Sequence, residues 1–253
     1  MNVQSTLRGV KPVTEGNPHR SGGTPLAQNK IVAPQRETIL HQAARLFARQ
    51  GYPATTMRDL AATLGVTPAA LYYHFSNKDQ LLLEVVLHGI EVVHRRVEAA
   101  MAAAPTVAQR IWAGLRAHLL ACLDHQDFVA VILQESRYLS PAAAERAVAA
   151  RDAYEALWAR TLEAGAEAGL FQGGVDLRLL RLFGFGAMNW VTVWYRRDGP
   201  LPPEAIADAF LLYIAKGVLR PEVADDLVAQ VAAVAGCPPA AGSSGRGSEG
   251  RSD

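Results

Sequence analysis

Between Pro34 and Ala235 the apolar residues of this chain recur at three- and four-residue spacing. Each such stretch is fenced by a proline, a glycine or a side chain able to cap a helix. No long apolar/polar alternation interrupts the rhythm, and nothing reads as a strand–helix–strand unit or an internal repeat. The expected fold class is therefore all-α. Half of the 253 residues are hydrophobic, enough for a large core and too much for a disordered chain.

The fences place the helices. One begins near Pro34 and stops at Gly51, with the stripe Ile39, Leu40, Ala43, Ala44, Leu46 and Phe47. Thr56 with Asp59 three residues on caps a second, which Gly65 ends. Thr67 and Pro68 open a short third running to about His74. Ser76 and Asp79 repeat the cap spacing before a long fourth through Leu82, Val85, Val86, Ile90 and Val93. Further helices are predicted over Val107–Leu123, Phe128–Ser136, from Ser140-Pro141 toward Gly165, from Asp176 to about Tyr195, from Pro203 to about Gly217 and from Pro221 to about Ala235. Residues 1–30 and 237–253, rich in Gly, Pro and Ser, read as a disordered arm and a disordered tail. The division expected between them is a head over 31–78 and a body over 79–236.

Several function classes drop out early. Two cysteines exclude a disulfide scaffold and a multi-cysteine metal centre, and suggest a reducing compartment. No uninterrupted apolar run of membrane-spanning length and no secretory leader is visible, so a cytoplasmic protein with no membrane partner is the default expectation. The sequences GxSxG, GxxxxGK[ST] and HExxH are absent, and an enzyme is not expected. No cofactor is indicated. Nor is a metal site, since His88 and His94 do not share a helix face and a helix break separates His118 from His125.

Net charge is only +1, but it is unevenly spread. Residues 30–78 hold six Lys or Arg against Glu37 and Asp59, while the remainder after them is acidic. A basic head on an acidic body suits an anionic partner. The segment Thr55–Lys78, TTMRDLAATLGVTPAALYYHFSNK, offers one candidate for that partner, although a helix–Gly–helix pair is also common in α-helical proteins that bind no DNA. Two short helices joined through Leu64-Gly65-Val66-Thr67 are written as a helix-turn-helix, whose second helix enters the major groove of duplex DNA. Ala69 and Ala70 are small enough for close approach to base edges and can meet a thymine methyl group. Tyr72, Tyr73, His74 and Lys78 can reach phosphates, and Thr56 and Thr67 sit at helix N-termini that favour them. Read singly, each has a plainer alternative: Tyr72 or Tyr73 as a core aromatic, His74 as a C-terminal cap, Thr67-Pro68 as a cap alone.

The run Ile39-Leu40-x-x-Ala43-Ala44-x-Leu46-Phe47-x-x-x-Gly51-Tyr52, then Thr55-Thr56-x-x-x-Leu60-Ala61, Leu64-Gly65-Val66 and Leu71-Tyr72-Tyr73-His74-Phe75-x-Asn77-Lys78-x-x-Leu81-Leu82, resembles the DNA-binding domain of the tetracycline-repressor (TetR) family of transcriptional regulators. The resemblance implies a three-helix DNA-binding head and a larger helical domain for ligand binding and homodimerisation. It implies that Thr56 and Arg58 touch phosphate, that Thr67, Pro68, Ala69 and Ala70 face base edges, and that Tyr72, Tyr73, His74 and Lys78 hold the DNA backbone. With so few hydrogen-bonding groups at the base edges, DNA shape is expected to contribute to recognition.

In the body, Trp112, His118, Phe128, Tyr154 and Trp158 fall on helices that surround the effector in this family, though a core role is the plainer alternative for each aromatic. Gly184, Gly186, Ala187, Trp190, Trp194, Phe210 and Ile214 are the expected dimer contacts. Met188-Asn189-Trp190, Trp194-Tyr195-Arg196 and Gly199-Pro200-Leu201 resemble a TetR subgroup in which many members respond to acyl-CoA thioesters or related catabolites. The phosphates of such an effector need arginines, and Arg95, Arg96, Arg116, Arg137, Arg178 and Arg181 are available. The sequence therefore predicts a ligand-responsive repressor of palindromic operators. A drug-sensing repressor of an efflux pump, or a helical enzyme or scaffold with an idle helix-turn-helix, remain alternatives.

Overall fold

The computed structural model describes residues 35–235. The predicted arm, the tail and Pro34 lie outside them. Ten α-helices follow one another: α1 (Arg36–Gln50), α2 (Met57–Leu64), α3 (Pro68–His74), α4 (Lys78–Ala103), α5 (Val107–Asp124), α6 (Gln126–Ala130), α7 (Pro141–Glu167), α8 (Leu177–Trp194), α9 (Pro203–Val218) and α10 (Pro221–Ala235). Among the described residues the only extended pairing is one isolated bridge between Phe171 and Leu219. The all-α expectation holds.

The caps form largely where the sequence writes them. The Thr56 hydroxyl accepts from Asp59 N–H, and the Asp59 carboxylate accepts from Thr56 N–H at 2.8 Å, closing a reciprocal capping box at the start of α2. Gly65 ends α2 at φ 67°, and Val66 N–H returns to the Ala61 carbonyl at 3.0 Å. Thr67 caps α3 with Pro68 in its first turn. One cap differs from expectation. Asn77 rather than Ser76 starts α4, its side chain accepting from Gln80 N–H at 2.7 Å, while Ser76 N–H donates to the Gln80 side chain. Asn77 is one residue nearer the helix, and its side-chain oxygen reaches an open N–H of the first turn directly.

A second difference is larger. The single helix predicted over Phe128–Ser136 is α6, followed by a π-helical turn at Val131–Glu135 and a 3-10 turn at Ser136–Tyr138. Val131 and Glu135, four residues apart in this turn, are both buried. Ile132 in the same turn packs against α4 at Gly89, where a β-carbon would lie 2.9 Å from Ile132 Cδ1 and 3.0 Å from Phe128 Cβ.

Four packed clusters fill the interior. The first joins α1–α3 (Ile39, Leu40, Phe47, Leu60 and Leu71) and Phe75 just beyond α3 to the first half of α4 and to Phe128, Val131 and Ala147. The hydrophobic core of the head thus runs without a gap past Lys78 into α4, α6 and α7. The other three line the body, where α4, α5 and α7 pack side by side and α8, α9 and α10 cover α5.

Because a side chain at Gly89 would meet Phe128 Cβ, which is fixed to the α6 backbone, as well as the end of the Ile132 side chain, Gly89→Val is expected to overpack the α4–α6 contact. The cost is about 1–3 kcal/mol, seen as a Tm several degrees lower in a circular-dichroism melt. An unchanged Tm contradicts this packing.

Candidate nucleic-acid interface and effector cavity

On α3, Leu71 is buried, and Phe75 is buried just beyond the helix end, so the opposite face must look outward. That face carries Pro68, Ala69, Tyr72 and Tyr73, with Tyr73 86% exposed. Ala70 and His74 are half-buried at its edges, and Tyr73 and His74 meet edge to face at 5.2 Å. Thr56, Arg58 and Thr67 are exposed at the helix starts beside it. Thr56 hydrogen bonds hold the Asp59 carboxyl below its usual range. Of the expected DNA contacts, Thr56, Arg58, Thr67, Pro68, Ala69, Tyr72 and Tyr73 are exposed, and Ala70, His74 and Lys78 are half-buried.

Lys78 is half-buried. Its ammonium donates to the carbonyls of Tyr52 and Thr55, both at 2.9 Å, and sits 4.1 Å from the centre of the Tyr52 ring. It pins the α1–α2 turn and keeps one N–H for another acceptor. Tyr52 is the centre of this turn. Its hydroxyl donates to Asp79, and its ring stacks on Tyr138 at 5.6 Å. Its backbone N–H donates at 2.8 Å to Glu135, which is only 6% exposed. Burial first, then the neighbouring Asp79 carboxylate, raises the Tyr52 phenol well above its usual range. Sequence reading missed both Glu135 and the inward role of Lys78, since nothing local to Val131–Tyr138 points across 83 residues to Tyr52.

The body holds a cavity of about 340 Å³ between α4, α5, the π-helical turn, α7 and α8. That lies at the small end of the range for ligand sites. Its wall is apolar at Ile90, Val93, Val129, Ile132, Leu133, Leu182 and Phe185. Its polar groups are His118, Cys122, Tyr154 and Asn189, with Arg151 and Glu155 also in the lining. His118 Nδ1 lies 2.6 Å from the Tyr154 hydroxyl and Nε2 lies 3.3 Å from Asn189 Oδ1. A proton on Nε2 satisfies both: the imidazole donates to Asn189 and accepts from Tyr154. Burial pushes the His118 pKa down to about 4 and the Cys122 thiol up to about 12. His118 is a neutral, oriented group, and Cys122 is a packing residue, not a nucleophile.

The five expected effector contacts divide. His118 and Tyr154 line this cavity. Trp112 and Trp158 line a separate apolar slot of about 50 Å³ against α8–α10. Phe128 packs in the head-side core. Trp158 Nε1 and Arg181 Nε, both on residues lining that slot, are buried without an acceptor among the described residues. Of the arginines named for phosphate, Arg95, Arg96, Arg116 and Arg181 are held by Glu91, Asp124, Asp208 and Glu155. Arg137 lies over the Tyr138 ring, and Arg178 is exposed. Arg151, which lines the larger cavity, was missed.

The expected dimer residues also divide. Gly184 is buried and lines the slot, as does Ile214, and Phe210 packs inward on α5 and α8. Trp190, Trp194 and Gly186 face out, joined by Leu179, Leu182, Phe183 and Val193. These seven lie at three- and four-residue spacing on one stripe of α8, and Trp190 and Phe183 are 63% and 69% exposed. Tyr213 on α9 adds to the exposed apolar surface. The outer stripe was legible as a second helical period within α8, had it been separated from the inner one.

One charged cluster was not expected at all. Glu37 and His41 of α1 and His88 of α4 place ligand-type atoms within 4.8 Å of one another. Burial and then the like charge of His41 lower the His88 pKa. Spacing along the sequence tests only histidines on a shared helix, and this pair is made across α1 and α4.

Comparison with known proteins agrees with this geometry. Residues 39–85 match the model of the bacterial regulatory proteins of the tetR family, and residues 104–218 match that of the tetracyclin repressor-like C-terminal domain. The transcriptional repressor KstR2 of Mycolicibacterium smegmatis is 29% identical over 191 residues, covering 74% of this chain and 92% of that protein. The TetR family transcriptional regulator PfmR from Thermus thermophilus superposes with a TM-score of 0.65 at 32% identity, covering 70% of this chain and 97% of that one. AibR, solved with isovaleryl coenzyme A and operator DNA, gives a TM-score of 0.63 at 28% identity, covering 69% and 95%. Among the described residues no helix is long and apolar enough to cross a membrane.

A neutral, buried His118 makes stability fall with acid. The unfolded chain takes up a proton at the ordinary histidine pKa of about 6.5, and the folded chain only near 4. Between pH 7 and pH 4 the wild type should therefore lose about 3 kcal/mol more than His118→Gln, read as denaturant midpoints. Parallel pH profiles for the two proteins contradict the assignment.

Proposed function

This chain belongs to the TetR family of bacterial regulatory proteins, and on that premise we propose that it is a ligand-responsive transcriptional repressor. It binds a palindromic operator as a homodimer, and a small hydrophobic or acyl-CoA-type effector releases it. The observation that carries this reading is the outward face of α3: small residues flanked by two exposed tyrosine hydroxyls and by threonine-capped helix starts. Pro68, Ala69 and Ala70 let the helix sit close to base edges, Thr67 adds a hydroxyl there, and Thr56, Arg58, Tyr72, Tyr73 and His74 reach phosphates on either side. Lys78 contributes mainly by fixing the turn that aims α2, with one N–H left over for phosphate.

The second copy covers the outer stripe of α8. So many large apolar side chains on one exposed face are unusual for a monomer. Pairing across α8 and α9 places two heads to read half-sites about 34–36 Å apart. The division at Lys78 is then one of function, DNA on one side and effector on the other, over a shared core.

The effector's apolar part occupies the 340 Å³ cavity. That space suits an acyl group or a ring system and not a whole CoA thioester, whose phosphates stay outside near Arg151. AibR's complex with isovaleryl coenzyme A is consistent with this chemistry. A cationic drug fits less well, because Glu155, the carboxylate in the lining, is engaged by Arg181 at 3.5 Å. Filling the cavity presses on Val129, Ile132 and Leu133, and Glu135 follows in the same segment. Displacing Glu135 releases Tyr52 and with it the approach to Thr56 and α2, so the two ligands favour different arrangements.

The test is fluorescence anisotropy with DNA from upstream of the protein's own gene. Arg58→Ala with Tyr73→Ala should weaken binding by about tenfold or more, with the log–log salt slope reduced by roughly 0.9 for each phosphate no longer neutralised. Isovaleryl-CoA or a longer acyl-CoA should release the wild type. Wild-type affinity in the double variant, or no response to any acyl-CoA, rejects the corresponding half of the proposal. Separately, Phe183→Asp with Trp190→Asp should convert the dimer to a monomer in sedimentation velocity; a persistent dimer places the interface elsewhere.

A further inference from the structure

We propose that Glu37, His41 and His88 form a binding site for a late first-row divalent metal ion that fastens α1 of the head to α4 of the body. Glu37 and His41 are four residues apart and so share one face of α1, one turn apart. His88 meets them from α4, one turn beyond Glu84, whose carboxylate already pairs with Arg36 of α1. The donor atoms of all three lie within 4.8 Å of one another. Ligands of one ion at bond lengths of about 2.0–2.2 Å stand about 3–3.5 Å apart. Closing that gap takes a rotation of Glu37 and His41, both exposed, while the half-buried His88 stays in place. The Phe128 ring lies 4.9 Å from the His41 ring and 5.2 Å from the His88 ring, so both imidazoles border one aromatic side chain at the junction. His125 brings a third imidazole 6.3 Å from His41, across a cleft of about 430 Å³ that also holds Asp124 and Asp127.

The donor set fixes the class of ion. Two imidazoles and one carboxylate suit Zn²⁺, Co²⁺ or Ni²⁺ and leave positions open for water. Arg45, Arg49 and Arg197 line the same cleft and oppose any cation held by charge alone. Mg²⁺ and Ca²⁺, which want oxygen donors, are therefore excluded. The proposal is independent of the effector reading, because its ligands lie outside the effector cavity.

The experiment uses the untagged full-length chain after EDTA and dialysis, titrated with Co²⁺ and Zn²⁺ in the absence of DNA and acyl-CoA. Expected are visible Co²⁺ absorption bands saturating at one ion per chain, displacement by Zn²⁺, a higher Tm with Zn²⁺ and no response to Mg²⁺ or Ca²⁺. His41→Gln, on the exposed side, and His88→Gln should each raise the metal Kd by about tenfold or more, with metal-free melting curves showing that each variant folds. Glu37→Gln should weaken binding while both imidazoles remain. No saturable Co²⁺ spectrum in the wild type, or the same affinity in the His41 and His88 variants, overturns the proposal.

Discussion

The structure turns on one buried hydrogen bond, from the backbone N–H of Tyr52 to the carboxylate of Glu135. A carboxylate that is nearly inaccessible is costly unless it is answered, and its answer here comes from the other end of the core. Lys78 closes the same turn by holding the carbonyls of Tyr52 and Thr55, and Asp79 and Tyr138 hold the Tyr52 side chain. The α1–α2 turn is thus tied to the body on one side and to the α2 capping box on the other. The position of α2, and of α3 packed against it, depends on that tie.

The same geometry joins head and body through one core. The core that buries Leu71 and Phe75 continues through Leu82, Val86 and Ile90 to Phe128 and Val131. A close-packed core passes displacement on instead of absorbing it. The π-helical turn touches both regions, with Ile132 in the cavity wall and Glu135 at Tyr52. Gly89 allows α4 to come close enough for that contact. The cluster of Glu37, His41 and His88 lies on the same α1–α4 seam, one turn along from the Arg36–Glu84 pair.

Much of the head was legible locally. Thr56 with Asp59, Gly65 and Thr67-Pro68 each act on their own few residues, so their roles follow from backbone N–H groups left open at helix ends. The outward tyrosines followed from Leu71 and Phe75 taking the buried face. The body was less legible, because an apolar residue on a helix reads the same whether it faces a neighbour, a cavity or a second copy. Trp158 and Trp190 look alike as letters; one is buried and the other projects from α8. Gly184 and Gly186, two residues apart, face opposite ways for the same reason.

By itself the sequence determined the number, order and ends of nearly all the helices, the helix-turn-helix and the buried side of α3. These depend on capping, φ angles and apolar period, which act within a few residues. Only the tertiary structure decided what meets across distance: Glu135 with Tyr52, Lys78 with the turn it closes, His118 between Tyr154 and Asn189, and His41 beside His88. Those pairings join residues 23 to 83 positions apart, and no local rule fixes them. They follow from how whole helices pack, which is set by the sum of many small contacts along each interface.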